Sequence, residues 1–397
     1  LLRAALPALF LTLLPPLVHL PVLLGWVHVA AWTAGGGPLH GLLARLVLMV
    51  VTGLSGFALF RRLGVGDWAA LLAACLFELN GTFAWFSQGP ALPVAALPLM
   101  LLGVEQARAT GLAWGLTLGG GLLLLTHHAE AVPPYALLTL IWALCRLGRT
   151  PAAWARAGLG AGLGVVIGLP ATLHFMPSAG FWPVVPPAPF LPADAALILF
   201  PYAYGDPTAP IALTGREAAI WQHGGGYLDL TWATLALSAL HRGGPAGRLR
   251  LGLGLFLLVS LACAARLAPW LASPKDIMAC WSMTAAVLAA LALSEWRAGI
   301  PPKFRRVLVC LAPALPLVVI PAYSNIFLAI SEHRQGLIFP GVVEGLSISI
   351  MVQLLLVMSL SSLLRQLASR VRVFSVSALL LANALGLFLG PVFDAAA

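Results

Sequence analysis

The chain has 397 residues, of which 60% are hydrophobic and only 9% are Asp, Glu, Lys or Arg, with a mean hydropathy of +0.97. Soluble domains carry about 25% charged residues, so this balance excludes a water-soluble globule and makes lipid the solvent for much of the chain. A net charge of +9 would suggest nucleic acid in a soluble protein, but in a membrane chain it reads as Arg in short cytoplasmic loops, with no nucleic-acid partner.

The first apolar stretch, Ala4 to Val27, is too long for a signal-peptide core and has no convincing cleavage site. It is expected to span the membrane, and because the chain opens on Leu1, residues are expected upstream. Basic clusters then follow at Arg61–Arg62, Arg108, Arg146/Arg149/Arg156, Arg242/Arg248/Arg250, Arg297/Lys303/Arg305/Arg306 and Arg365/Arg370/Arg372. Stretches long enough for two crossings lie between them. With every cluster inside, the spans fall at 4–26, 39–60, 68–87, 91–105, 110–126, 132–145, 156–174, 226–241, 251–267, 279–295, 306–322, 337–360 and 373–391. The expected fold is therefore all-α: one polytopic transmembrane domain over 1–397, with about thirteen helices, some of them short or re-entrant. The N-terminus is inside and the C-terminus outside. Seventeen of the 22 Lys and Arg residues fall on the inner side, while eight of the 13 acids fall on the outer side or its interface, an asymmetry that follows the positive-inside rule.

Two tandem glycine stripes, Gly111/Gly115/Gly119 and Gly160/Gly164/Gly168, have the spacing that lets helix backbones approach closely in lipid. Neither sits in the strand–turn–helix setting of a dinucleotide site. The connection from His174 to Gly226 breaks the pattern of short loops. It has nine prolines and is rich in aromatics, among them Phe181, Trp182, Phe190, Tyr202 and Tyr204. Such a segment reads as an outer loop or lid at headgroup depth, over the helix bundle, rather than a long helix.

Cysteines at 75, 145, 263, 280 and 310 show no CxxC spacing, so neither a disulfide framework nor a metal site is expected. His19, His28 and His40 show no spacing that suggests a haem, and no cofactor is expected. No Gly-Lys-Ser/Thr phosphate loop, HExxH or GxSxG occurs. Polar residues at membrane depth remain as the functional signal, since each is costly unless paired or hydrated. Thr126-His127-His128-Ala129-Glu130 lies at the outer end of a span. Glu130 beside two imidazoles could serve as a general base, with His127 and His128 assisting, or the segment is simply a hydrated helix end. Glu78 falls near mid-span and must pair, protonate or meet water, with Arg45 on the preceding helix as a candidate partner; it is a candidate substrate-binding group or half of a structural pair. Asn80-Gly81-Thr82 matches a glycosylation sequon, which its membrane placement argues against. Asp206, before Pro207 in the long outer connection, is a turn former or a substrate group, with Arg216 close behind. Lys275 and Arg216 on the outer face could hold a lipid phosphate or merely snorkel to the interface.

In three stretches the chain resembles the YfhO-like bacterial membrane proteins, transferases of the GT-C architecture. Leu39 to Leu102 is similar to that family's early helices. Thr126 to Glu130 followed by Tyr135 looks like its Gly-His-Pro-Glu/Gln segment, with two positions replaced. Leu199 to Pro207, with Gly225-Gly226-Tyr227-Leu228, resembles its Phe-Pro…Gly-Asp-Pro…Gly-Tyr-Leu signature. The resemblance implies a GT-C-like fold in the bacterial inner membrane and a glycosyltransferase acting on the outer face. The sugar donor would be a polyprenyl phosphate sugar. It also implies Glu130 or Asp206 as catalytic base, and Arg216 and Lys275 on the donor phosphate. Such transferases resemble one another in placing an acid in the first outer loop, whereas residues 27–40 here contain none. That departure keeps two other readings open. One is a non-catalytic accessory subunit with membrane-protein partners; the other, ranked last, is a transporter, for which Pro15-Pro16 and Pro133-Pro134 would be helix breaks. Membrane lipids are expected partners on every reading.

Overall fold

The computed structural model describes residues 2–20, 38–85, 89–109, 111–126, 128–179, 226–228, 230–240, 246–263, 274–297, 355, 375–385 and 387. Among them every regular element is helical. In chain order they are α1 (Leu2–Val18), α2 (Pro38–Arg62), α3 (Asp67–Glu78), α4 (Gly81–Trp85), α5 (Ala96–Arg108), α6 (Trp114–Leu125), α7 (Val132–Arg146), α8 (Pro151–Ala179), α9 (Leu230–Leu240), α10 (Gly247–Ala262), α11 (Pro274–Arg297) and α12 (Ser375–Leu385). A seven-residue 3-10 helix precedes α5 (Gly89–Ala95) and a single 3-10 turn precedes α7 (Ala129–Ala131). The chain is thus an all-α protein, and Leu42–Arg62, Pro151–Ala171 and Ile277–Glu295 are each long and apolar enough to cross a membrane.

Proline and glycine punctuate these helices as their chemistry requires. Pro38, Pro151 and Pro274 open α2, α8 and α11, where a missing N–H has no helical partner to lose. Pro133 and Pro134 occupy the first turn of α7, so they mark a start and not a mid-helix break. The helix α1 runs through Pro15 and Pro16 to Val18. After Arg61-Arg62 the chain turns at Gly64, φ 81°. There the Gly64 N–H donates to Arg61 C=O at 3.0 Å and the Val65 N–H to Phe60 C=O at 3.2 Å, the pairing of a Schellman cap.

Burial separates a centre from a periphery. In α11, 94% of the Ile277–Glu295 window is buried, and the helix packs against α9, α3, α7 and α10. Its alanines (Ala279, Ala285, Ala286, Ala289, Ala290) leave room for those neighbours. In α8 only 28% of the window is buried, and Leu159, Leu163, Val166 and Ile167 point outward, as expected of a helix facing lipid tails.

The glycine stripes act as expected, with one exception. Gly119 of α6 meets Ala96 C=O and Met100 of α5, and Gly115 meets Gly103. Gly160 and Gly164 of α8 lie on Ala113, Leu116 and Thr117, and Thr117 Oγ1 donates to Gly160 C=O at 3.0 Å. Gly111 lies outside α6 on an exposed bend and does not join the seam. A Cβ on Gly164 would fall 2.9 Å from Thr117 C=O and 3.0 Å from Leu116 C=O. Gly164→Leu should therefore force α8 off α6 and destabilise the fold by about 1–3 kcal/mol. Thermal melting in detergent would read this, and an unchanged midpoint would contradict the seam.

Paired charge joins residues that the charge count put on one side of the membrane. Arg146 donates to Glu105 through Nε at 2.6 Å and Nη2 at 2.8 Å, and Trp142 Nε1 donates to the same carboxylate at 3.0 Å. Arg108 lies 3.5 Å from it, and Arg156 Nε donates to Ala107 C=O at 2.9 Å. Arg250 pairs with Glu295, and Arg61 with Asp67 at 2.8 Å. Gly252 of α10 packs on Cys145 of α7.

Three expectations need correcting. The span expected at 68–87 is broken: α3 stops at Glu78 and α4 restarts at Gly81, because Asn80 diverts its side chain to the backbone. The span expected at 91–105 begins as a 3-10 helix and becomes α-helical only from Ala96 to Arg108. The helix expected at 156–174 runs from Pro151 to Ala179, passing through Pro170 and Pro177 into the segment read as the outer loop. The spans expected at 306–322 and 337–360 lie outside the described residues, residue 355 apart.

Candidate functional site at the broken helix

The break between α3 and α4 is built by one side chain. Asn80 Oδ1 accepts the Thr82 N–H at 2.9 Å and the Phe83 N–H at 3.2 Å, while Nδ2 donates to Phe77 C=O at 2.6 Å. Asn80 thus closes α3 with its amide nitrogen and caps α4 with its oxygen, the competition with helical bonding for which Asn is suited. The Arg45 guanidinium, buried on α2, donates to Phe83 C=O. Arg45 therefore serves the backbone of α4, and no ion pair joins it to Glu78 among the described residues.

A second stretch seats itself on this break. Gly226 has φ +126°, and a Cβ there would lie 2.5 Å from the Thr82 nitrogen and 2.7 Å from the Gly81 carbonyl carbon. Gly81 in turn lies against the backbone nitrogen and ring of Tyr227. Two glycines face each other across a backbone-to-backbone contact that no side chain could enter. Tyr227 is buried beside them, and Leu230 begins α9 three residues later. Stretches of sequence far apart in the chain, Asn80-Gly81-Thr82 and Gly226-Tyr227, are thereby brought into one contact.

The predicted site residues divide into three groups. Glu78 is 0% exposed at the end of α3, and neither of its carboxyl oxygens has a hydrogen-bond partner among the described residues. His128 and Glu130 are half-buried on the 3-10 turn before α7, a turn closed by the Ala131 N–H donating to His128 C=O at 3.1 Å. That turn packs against α11, the helix whose first turn contains Lys275. His127, Asp206 and Arg216 lie outside the described residues. No cluster of three or more His, Cys, Asp or Glu able to hold a metal ion occurs among the described residues.

Asn80, Gly226 and Tyr227 entered the sequence reading only as a sequon and as part of a family signature, and were not counted among the site residues. A signal existed: Asn-Gly inside an apolar span is a turn dipeptide, and reading it only as a sequon hid the break.

No protein-family model matches the chain, and no curated protein matches it. Among solved structures, it is similar to the crystal structure of ArnT from Cupriavidus metallidurans bound to undecaprenyl phosphate, at 17% identity and a TM-score of 0.44. The match covers 92% of this chain and 65% of that one, so the chain spans less than two thirds of the ArnT chain. A likeness at this level fixes neither a fold nor a chemistry.

Proposed function

We propose that the chain is a GT-C-type glycosyltransferase of the bacterial inner membrane, taking its sugar from a polyprenyl phosphate donor on the outer face. The observation that supports this reading is the seating of Gly226-Tyr227 on Gly81-Thr82. Two stretches that separately resemble the YfhO-like transferases meet in space, and they meet at a broken helix, where a membrane protein can present polar backbone to a substrate. The charge asymmetry supports an outward site, because the ion-paired network gathers residues of the inner set. The absence of a nucleotide-binding motif in the sequence agrees with a lipid-linked donor.

Transfer on this reading is a single displacement. The acceptor hydroxyl oxygen bonds to the anomeric carbon as the bond from that carbon to the donor phosphate breaks. The hydroxyl proton passes to a carboxylate, Glu130 or Asp206, with His127 or His128 assisting. The phosphate leaves with the bonding pair, its growing charge met by Arg216 and Lys275. Direct contact of Glu78 with substrate would require its carboxyl to become exposed.

The test uses the full chain in lipid vesicles with a radiolabelled polyprenyl phosphate sugar, comparing wild type with the Glu130→Gln/Asp206→Asn double variant. Loss of a positioned general base should lower transfer by about 100-fold or more, with an unchanged melting profile. Undiminished transfer would eliminate both carboxylates as bases. No transfer by the wild-type chain would favour the accessory-subunit reading.

A further inference from the structure

We infer that Glu78 is an intramembrane proton-binding site, holding its proton as a neutral carboxylic acid in the folded chain. This inference is independent of the transferase reading. The carboxyl occupies a slot made by a missing side chain: a Cβ on Gly53 of α2 would fall 2.6 Å from Glu78 Oε2, 2.7 Å from its carboxyl carbon and 3.0 Å from Oε1. The slot is closed to the surface, with Glu78 0% exposed and neither oxygen hydrogen-bonded among the described residues.

Among the described residues, no charged group on the elements around α3 forms an ion pair with it. On α2, the Arg45 guanidinium is committed to Phe83 C=O, and Arg61 is paired with Asp67 at the opposite end of α3; Arg62 is exposed at the same end of α2. On α11, Glu295 is paired with Arg250, while Lys275 and Asp276 stand in its first turn. On α1, Arg3 stands in the first turn, and His19 follows the helix and is bonded through Nδ1 to Pro15 C=O. No ion pair joins any of these to Glu78 among the described residues. An ionised carboxylate without water, donor or cation costs several kcal/mol, and a buried acid escapes that cost by keeping its proton. Releasing the proton requires water or a cation to reach the carboxyl.

Infrared spectroscopy of the full chain in lipid tests this directly. At neutral pH the expected result is a carboxylic-acid C=O stretch that moves on ¹³C-glutamate labelling, exchanges slowly in D2O and is missing in Glu78→Gln. If Glu78→Gln instead removes carboxylate bands, the residue is ionised and the inference is overturned. Should Glu78→Gln fail to fold, Gly53→Ala presses a methyl on the same carboxyl and should shift the acid band in a chain that keeps Glu78. Wild-type protein labelled with ¹³C-glutamate that shows no acid band at neutral pH would overturn the inference without any variant.

Discussion

Arg146→Met is expected to destabilise the folded chain by about 3–5 kcal/mol, the range for removing one partner of a buried ion pair. Glu105 is 3% exposed and takes both its strongest bonds from Arg146, at 2.6 and 2.8 Å. With the guanidinium gone, the carboxylate keeps Trp142 Nε1 at 3.0 Å and the longer approach of Arg108 at 3.5 Å. Arg108 is half in water, so it returns little of the loss. The paired change Arg146→Met/Glu105→Leu should recover much of the stability, because replacing both partners with apolar groups of similar shape leaves no stranded charge. Thermal melts of the four proteins in one detergent give the coupling between the two positions. A single variant that melts with wild type would mean that the bidentate pair does not hold α5 to α7.

The parts of this architecture legible in the sequence are those governed by one-dimensional rules. Hydropathy placed helices over 39–60, 132–145 and 279–295, and the structure forms Pro38–Arg62, Val132–Arg146 and Pro274–Arg297 there. GxxxG spacing marked Gly115/Gly119 and Gly160/Gly164/Gly168 as faces of close helix approach, and they pack on α5 and α6 respectively, partners that spacing does not name. Arg146 and Glu105 were both assigned to the inner side by counting charge, and they meet.

The features that stayed hidden depend on contacts that spacing does not encode. The Glu78–Arg45 pair was plausible by type and depth, but Arg45 is spent on a backbone carbonyl. Hydropathy read 68–87 as one span because Leu79 and Phe83 keep the window apolar, while the break is marked by the hydrogen bonds of Asn80. Length rules stopped α8 at 174 because prolines crowd the residues after it, yet the helix includes Pro170 and Pro177. In lipid the loss of one backbone bond can be met by neighbouring groups, so proline is a weaker stop signal there than in water. The candidate bases were legible as residue types only; Glu130 sits on a described turn, whereas Asp206 lies outside the described residues.

Gly226→Ala is the substitution expected to harm the site most, by about 2–6 kcal/mol from two effects that add. At φ +126° an L side chain is strained whatever the space around it, which costs about 1–3 kcal/mol. The new Cβ would also lie 2.5 Å from the Thr82 nitrogen and 2.7 Å from the Gly81 carbonyl carbon. Both are backbone atoms fixed by the Asn80 cap, so neither can rotate aside, and overpacking of this kind adds about 1–3 kcal/mol. Gly247 supplies the control. It opens α10 with nothing within 4 Å of where a Cβ would stand, so Gly247→Ala should leave stability unchanged or raise it by up to about 1 kcal/mol. Melting midpoints for the two variants should therefore separate widely, with Gly226→Ala low and Gly247→Ala at or above wild type. The same pair tests function: if the meeting of Gly226 with the broken helix builds the transfer site, Gly226→Ala should lose transfer even below its melting temperature, while Gly247→Ala retains it. Equal midpoints would refute the contact itself, and a cold, folded Gly226→Ala protein with full transfer would detach the site from the break.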